Sequence, residues 1–290
     1  ENALTSSISV FSGLPGTGKT TSLRVLVKVL QRLGFRTTSN KSDPPDVLLL
    51  APTGIAAKRM ANLTGVEAYT VHRALGGKPK DKKERDSNYE GIVGDTVDGS
   101  SQAKGSWGSW TYGDDSRHPA QFVVVDESSM LDIEALARIV GAMREDAHLV
   151  LMGDHAQLPS VGPGNVLKDL VEADLPKVRL TEIFRQAETS DIVRAAHAIH
   201  GGEMPEIGKD FSLIAVGSED AALDVIKRAV HKLYDKKANF QVLSPRHAGT
   251  AGVTNLNSEL RDMLNPAGSG SRQLRVASGY IREGDRVMIT

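Results

Sequence analysis

The chain has 290 residues and a formal net charge of −1, with 40% hydrophobic and 24% charged residues, the balance of an ordinary globular protein. It contains no cysteine, which excludes disulfides, thiolate nucleophiles and Cys-ligated zinc, suits a reducing compartment and leads us to expect a cytoplasmic protein. No apolar run approaches the length of a membrane span and no N-terminal stretch reads as a secretion signal. The near-neutral total gives no long-range field for a polyanion. Local asymmetry exists, with six Lys/Arg against two acids from Arg73 to Arg85 and six Arg against four acids from Gln241 onward.

In chain order, Ile8–Ser12 reads as a short buried strand running into the Gly-rich segment Gly13–Thr20. Leu23, Leu26, Val27, Leu30 and Leu33 then recur at helical spacing, with Gly34 as the stop. Thr37–Asp46 is polar, contains Pro44-Pro45 and reads as a loop, whereas Val47–Ala51 is a continuous apolar run, the mark of a strand buried on both faces. Phe122–Val125 and His148–Met152 are two more such runs, with a helical stretch at Ile133–Met143 between them. Apolar strands alternating with helices point to a parallel α/β sheet with helices on both faces. Residues 77–119 are rich in Gly, Ser, Asp and Lys, carry Trp107, Trp110 and Tyr112, and read as an insertion with room for a β-hairpin. After Leu180 a second α/β pattern begins, with helices around Ile192–His200 and Ala221–Tyr234 and strands near Phe211–Val216 and Phe240–Ser244.

Gly13-Leu-Pro15-Gly16-Thr17-Gly18-Lys19-Thr20, followed by Thr21, matches G-x-x-x-x-G-K-[ST] in full. Glycines let such a loop wrap closely, so backbone N–H groups and a helix N-terminus face phosphates. Lys19 is then placed for the β- and γ-phosphates of ATP, and the Thr20 hydroxyl for Mg²⁺. Phe122-Val-Val-Val-Asp126-Glu127 ends a buried strand in two carboxylates, Asp126 toward Mg²⁺ and Glu127 to position or deprotonate water. Gly153-Asp154-His155-Ala156-Gln157 leaves another buried strand, and the neutral amide of Gln157 suits a γ-phosphate oxygen and a water.

These three segments, in this order, resemble motifs of superfamily 1 helicases. Ala51-Pro52-Thr53-Gly54, Thr70-Val71-His72-Arg73, Leu180-Thr-Glu-Ile-Phe-Arg185-Gln186 and Ser244-Pro245-Arg246-His247-Ala-Gly249 resemble further motifs of the RecD-like branch. The resemblance implies a P-loop NTPase (RecA-like) motor domain over residues 1–179, with its insertion at about 77–119, and part of a second motor domain over 180–290. It implies an ATP-dependent helicase moving 5′ to 3′ on single-stranded DNA or at a single/double-strand junction, in company with repair or recombination proteins. Pro52, Thr53, Thr70 and His72 on the first domain, and Pro245, Arg246 and His247 on the second, would meet the strand. Arg185 would act as an arginine finger closing the cleft over Mg²⁺–ATP. Family members carry an adenine-reading Gln segment before the first strand and continue past Gly284–Thr290 into the rest of the second motor domain with its last motifs, so a fragment is expected. Outside the resemblance the residues leave open an RNA helicase, a small-molecule kinase and a nucleotide-switched binding module. A lone Arg near a helix start is more often a surface ion pair.

Overall fold

The computed structural model describes residues 2–14, 16–38, 44–77, 110–181, 190–268, 272–276 and 279–287. Pro15, Trp107, Arg185, Gln186 and the hairpin expected within the insertion lie outside the described residues. The chain forms two compact units, Glu1–Phe211 and Ser212–Thr290. The sequence placed the division after Arg179.

The first unit is built on six parallel strands in the order β3-β2-β4-β5-β1-β6. These are β1 (Ile8–Gly13), β2 (Val47–Ala51), β3 (Ala68–Thr70), β4 (Phe122–Val125), β5 (His148–Gly153) and β6 (Lys177–Leu180). All five residues of β2 and all four of β4 are buried, as their unbroken apolar sequences require of central parallel strands. Because successive side chains of a strand face opposite ways, the strands divide between two cores. Val47, Leu49, Phe122, Val124, Val150 and Met152 pack with Leu23, Val27 and Leu30 of α2 (Lys19–Arg32) and Met60 of α3 (Gly54–Thr64). Ala3 of α1 (Asn2–Thr5) joins that core. Leu48, Leu50, Val123, Val125, Leu149 and Leu151 pack with Val71 of α4 (Val71–Ala74) and with Ile139 and Ala142 of α5 (Ile133–Ala142). Helices on both faces of a parallel sheet are what the alternating pattern led us to expect.

Local signals fix several helix ends. Thr53 caps α3 by accepting from Ala56 N, and Asp132 caps α5 by accepting from Ala135 N. Gly34, at φ 94°, closes α2 in the left-handed region where glycine is least strained. The unit also contains α6 (Val166–Glu172), whose Leu167 and Val171 cover Val10 of β1, and α7 (Asp191–His200).

The second unit contains α8 (Glu219–Asp235), α9 (Val253–Leu264) and an antiparallel hairpin of β7 (Gln273–Val276) and β8 (Gly279–Arg282). Lys227 of α8 pairs with Glu259 of α9 at 2.7 Å, and Arg261 donates to the Tyr280 carbonyl at 2.6 Å. The strands expected near Phe211–Val216 and Phe240–Ser244 are not formed. An apolar run becomes a strand only when neighbours take up its N–H and C=O groups. Neither segment has a ladder partner among the described residues, and Ile214 and Leu243 are exposed.

Candidate functional site

The sheet brings three strand exits together. In an open parallel sheet the carboxyl ends of the strands form the natural ligand crevice. Here β5 lies between β1 and β4, so the loops after these three strands are neighbours. They carry Gly13–Thr20, Asp126-Glu127 and Gly153–Gln157 respectively.

The loop after β1 turns through Gly16 at φ 81° and Gly18 at φ 86°, both conformations that a β-carbon disfavours. Thr17 is buried and its hydroxyl donates to Leu14 O at 2.8 Å. A β-carbon on Gly13 would collide with Thr17 Oγ1, so the loop closes only with glycine there. Gly18 is the residue before α2 and supplies no side-chain cap. The first N–H groups of that helix are therefore not taken by a side chain of the preceding residue, the arrangement that suits an anion. Lys19 Nζ turns inward, donating to Gly13 O at 2.5 Å and Leu14 O at 3.0 Å, and lies 3.9 Å from Asp154 Oδ2. Burial lowers the Lys19 pKa, against the opposing pull of Asp154, Glu127 and Asp126.

After β4 the chain bends sharply. Asp126 N donates to Leu50 O at 3.0 Å, and Asp126 Oδ1 accepts from Glu127 N at 2.9 Å. Glu127 takes φ 52° and ψ 37°, left-handed for a residue with a β-carbon. The buried Ser128 hydroxyl then donates to Met152 O on β5 at 2.7 Å. Burial pushes both carboxyls above their usual range, and for Glu127 the neighbouring Asp126 adds to the rise.

After β5, Asp154 is 1% exposed. Its Oδ1 accepts from Ala156 N at 3.0 Å, while Oδ2 has no hydrogen-bond partner. The next residue, His155, places Nδ1 2.6 Å from Ser12 Oγ at the end of β1. Gln157 is exposed, its N–H closing the turn on Asp154 O at 3.2 Å.

All three acids thus lie within electrostatic reach of Lys19, and Arg59 of α3 adds a second cation whose field reaches Lys19, Asp126 and Glu127. An orphaned buried oxygen, two carboxyls disfavoured by burial and a lysine folded onto loop carbonyls fit a site completed by a phosphate chain and a divalent cation. Lys19 and the loop N–H groups would hold phosphates, with Thr20 and Asp126 as cation ligands beside them. Sequence reasoning named the segment of Asp154 but gave the work to Gln157. It missed Arg59, since one arginine on a helix carries no local signal.

The residues expected at a nucleic-acid strand fall on both units. Thr53 and Thr70 are helix caps, Thr70 accepting from Arg73 N at 3.3 Å, and half-buried Pro52 precedes Thr53. His72 packs its ring 5.5 Å from that of Trp110, which lies under the Arg138 guanidinium at 5.4 Å. Burial lowers the His72 pKa, with Asp132 opposing. Tyr112 packs edge-on to His118 at 4.7 Å. In the second unit Pro245, Arg246 and His247 are exposed, and the Arg246 side chain pairs with Glu219.

Among the described residues no helix is long and apolar enough to cross a membrane. The chain is 31% identical to the ATP-dependent RecD2 DNA helicase of Deinococcus radiodurans, covering 97% of this chain and 33% of that protein. It is 32% identical to the RecBCD enzyme subunit RecD of Mycolicibacterium smegmatis, over 77% of this chain and 36% of that one. The chain therefore spans about a third of the length of these curated relatives. Among solved structures it is similar to the Pif1 helicase from Candida albicans, with a TM-score of 0.46 at 20% identity, covering 94% of this chain and 54% of that one. A Bacteroides Pif1 bound to ssDNA gives a TM-score of 0.43 at 18% identity, covering 94% of this chain and 56% of that one. The RecD-like resemblance read from the motifs is borne out by the curated relatives. The AAA domain family matches residues 1–217, the sheet unit with its three strand exits, and the chain belongs to that family.

Proposed function

We propose that the chain is the nucleotide-binding part of an ATP-dependent DNA helicase, which couples hydrolysis to 5′-to-3′ movement on single-stranded DNA during recombination or repair. The observation that carries this reading is the convergence of Lys19, the Asp126-Glu127 pair and the turn after β5 at adjacent ends of one parallel sheet. The helicase relatives support the substrate and the reaction.

In this reading the loop after β1 and Lys19 orient the phosphates, and Thr20 with Asp126 places the cation. Bound Mg²⁺ supplies charge neutralisation at the transferred phosphoryl group. Glu127, whose pKa burial has raised, takes the proton of the attacking water, a role for which a pKa drawn toward neutrality is favourable. Gln157 reads the γ-phosphate, and Arg185 adds positive charge in the transition state. Pro52, Thr53, Thr70 and His72 hold the strand from the first unit, and Pro245, Arg246 and His247 from the second.

The test is steady-state ATP hydrolysis by the full-length protein with and without single-stranded DNA. Stimulation by DNA is expected, and Glu127→Gln should lower the stimulated rate by roughly 10²-fold or more. A rate indifferent to both DNA and RNA would overturn the reading. Unwinding of duplexes with a 5′ overhang but not a 3′ overhang checks the direction.

A further inference from the structure

Asp154 has an environment that its place in a turn does not explain. It is 1% exposed, and one carboxylate oxygen is satisfied by Ala156 N at 3.0 Å. The other, Oδ2, has no hydrogen-bond partner and lies 3.9 Å from Lys19 Nζ. A buried carboxylate is tolerated when a cation compensates it and is strongly disfavoured when that cation leaves. Lys19, meanwhile, is turned onto the carbonyls of Gly13 and Leu14, the loop that would cradle phosphates. Sheet order makes the pairing possible, since β5 delivers Asp154 beside the end of β1.

We propose that Asp154 is an intramolecular stand-in for the nucleotide's phosphates: it holds Lys19 in the nucleotide-free protein and gives it up when a phosphate chain enters. The inference rests on the nucleotide-binding reading above. Two consequences follow from the geometry. Asp154 competes with phosphate for one ammonium group and so weakens nucleotide affinity. Once Lys19 turns away, Oδ2 is left buried without its cation, and the turn must find it a new donor or open. That turn is closed by Gln157 N on Asp154 O and by Ala156 N on Asp154 Oδ1, and His155 ties it to Ser12. Phosphate occupancy is thereby passed to Gln157 through the backbone. Asp154 is a positioning residue acting through Lys19.

Binding of ADP to the full-length protein in EDTA, without divalent cation, isolates the competition. Asp154→Asn keeps the size and one acceptor oxygen but removes the charge. It should tighten ADP binding by at least about fivefold, the lower bound set by one charge about 4 Å from the lysine at the dielectric constant of bulk water. Equal or weaker binding by a variant that melts like the wild type would overturn the proposal. A nucleotide-independent check uses thermal melting. Lys19→Ala should lower the melting temperature by stranding Asp154, and adding Asp154→Asn should restore much of the loss. Simple addition of two losses would overturn the proposal. Should Asp154→Asn fail to fold, amide hydrogen exchange in the wild type decides. ADP should change protection across residues 154–158, and an unchanged turn would refute the inference. Wild-type protein that binds no ADP, with or without Mg²⁺, would instead sink the nucleotide reading itself.

Discussion

Replacing Glu127 by glycine should leave the nucleotide-free protein more stable than replacing it by alanine. Both changes delete the half-buried carboxylate, so the charge effect cancels between them and backbone conformation remains. Glu127 occupies φ 52° and ψ 37°, where a β-carbon crowds the following carbonyl at a cost of roughly 1–2 kcal/mol. Glycine avoids that crowding but brings a more flexible unfolded chain, an opposing effect of roughly 0.5–1 kcal/mol. The difference leaves roughly 0–1.5 kcal/mol in favour of glycine, a rise of up to about 6 °C in melting temperature for a unit of this size. Calorimetric melting of Glu127→Gly and Glu127→Ala side by side, without nucleotide, measures it. Both variants should be inactive. A glycine variant melting below the alanine variant would show that the left-handed turn stores less strain than the flexibility of glycine costs. The strained position persists because its neighbours over-determine it: Glu127 N is held by Asp126 Oδ1, and Ser128 Oγ by Met152 O.

Three further changes test other parts of the site and its frame. Gly13→Ala drives a β-carbon into Thr17 Oγ1 and to 3.0 Å from Leu180 Cβ, and calorimetric titration should show ADP affinity lowered by at least about tenfold. An affinity within twofold of the wild type would mean that the loop relaxes around the methyl group. Gly153→Ala places its β-carbon 2.7 Å from Leu167 Cδ2 and 3.1 Å from Ser129 N, and should cost roughly 1–3 kcal/mol in denaturant unfolding; an unchanged midpoint would contradict that packing. Burial holds the His118 pKa below the ordinary 6.5 while its Nδ1 accepts from Ala120 N at 3.1 Å. The unfolded chain therefore binds the proton more readily, so stability is intact above about pH 6.5 and falls as pH drops below it. In His118→Gln that part of the stability–pH profile should flatten, and a profile of unchanged slope would assign the fall to another group.

How much could be read from the sequence depended on whether an element draws its identity from itself or from its neighbours. The strands β2 and β4 are unbroken apolar runs, Val47–Ala51 and Phe122–Val125, and each announces a position buried on both faces. The edge strands do not. β3 spans three half-buried residues, and β6, Lys-Val-Arg-Leu, alternates exposed and half-buried residues. A short edge strand has one hydrogen-bonded neighbour and little apolar content, so no local pattern marks it. For that reason Lys177–Leu180 went unread as a strand, whereas β6 pairs with β1 in the first sheet. Phe211–Val216 and Phe240–Ser244 failed in the opposite sense, having the composition of strands without ladder partners. The tight Gly-rich loop after β1 was legible because its glycines answer to backbone geometry within a few residues, seen in the φ values of Gly16 and Gly18. Asp154 and Arg59 were not, because what they face is set by the order of strands in space.

That spatial order also constrains how the site can work. The exits of β1, β4 and β5 are tied to one another by two hydrogen bonds and one ion pair: Ser12 to His155, Ser128 to Met152, and Lys19 to Asp154. The first two lie at the strand ends, where the sheet holds both partners. The third joins a flexible side chain to a buried carboxylate, at a distance of 3.9 Å and with no hydrogen bond to Oδ2. Of the three ties it is the weakest and the one that an entering anion can replace without breaking backbone order. Changes in phosphate occupancy should therefore be absorbed at Lys19 and Asp154 first, while the β4 exit with Glu127 keeps its strained geometry throughout. In the proposed mechanism a rigid Glu127 beside a movable Lys19 suits hydrolysis, since proton transfer needs fixed distances and phosphate entry and release need a grip that can let go.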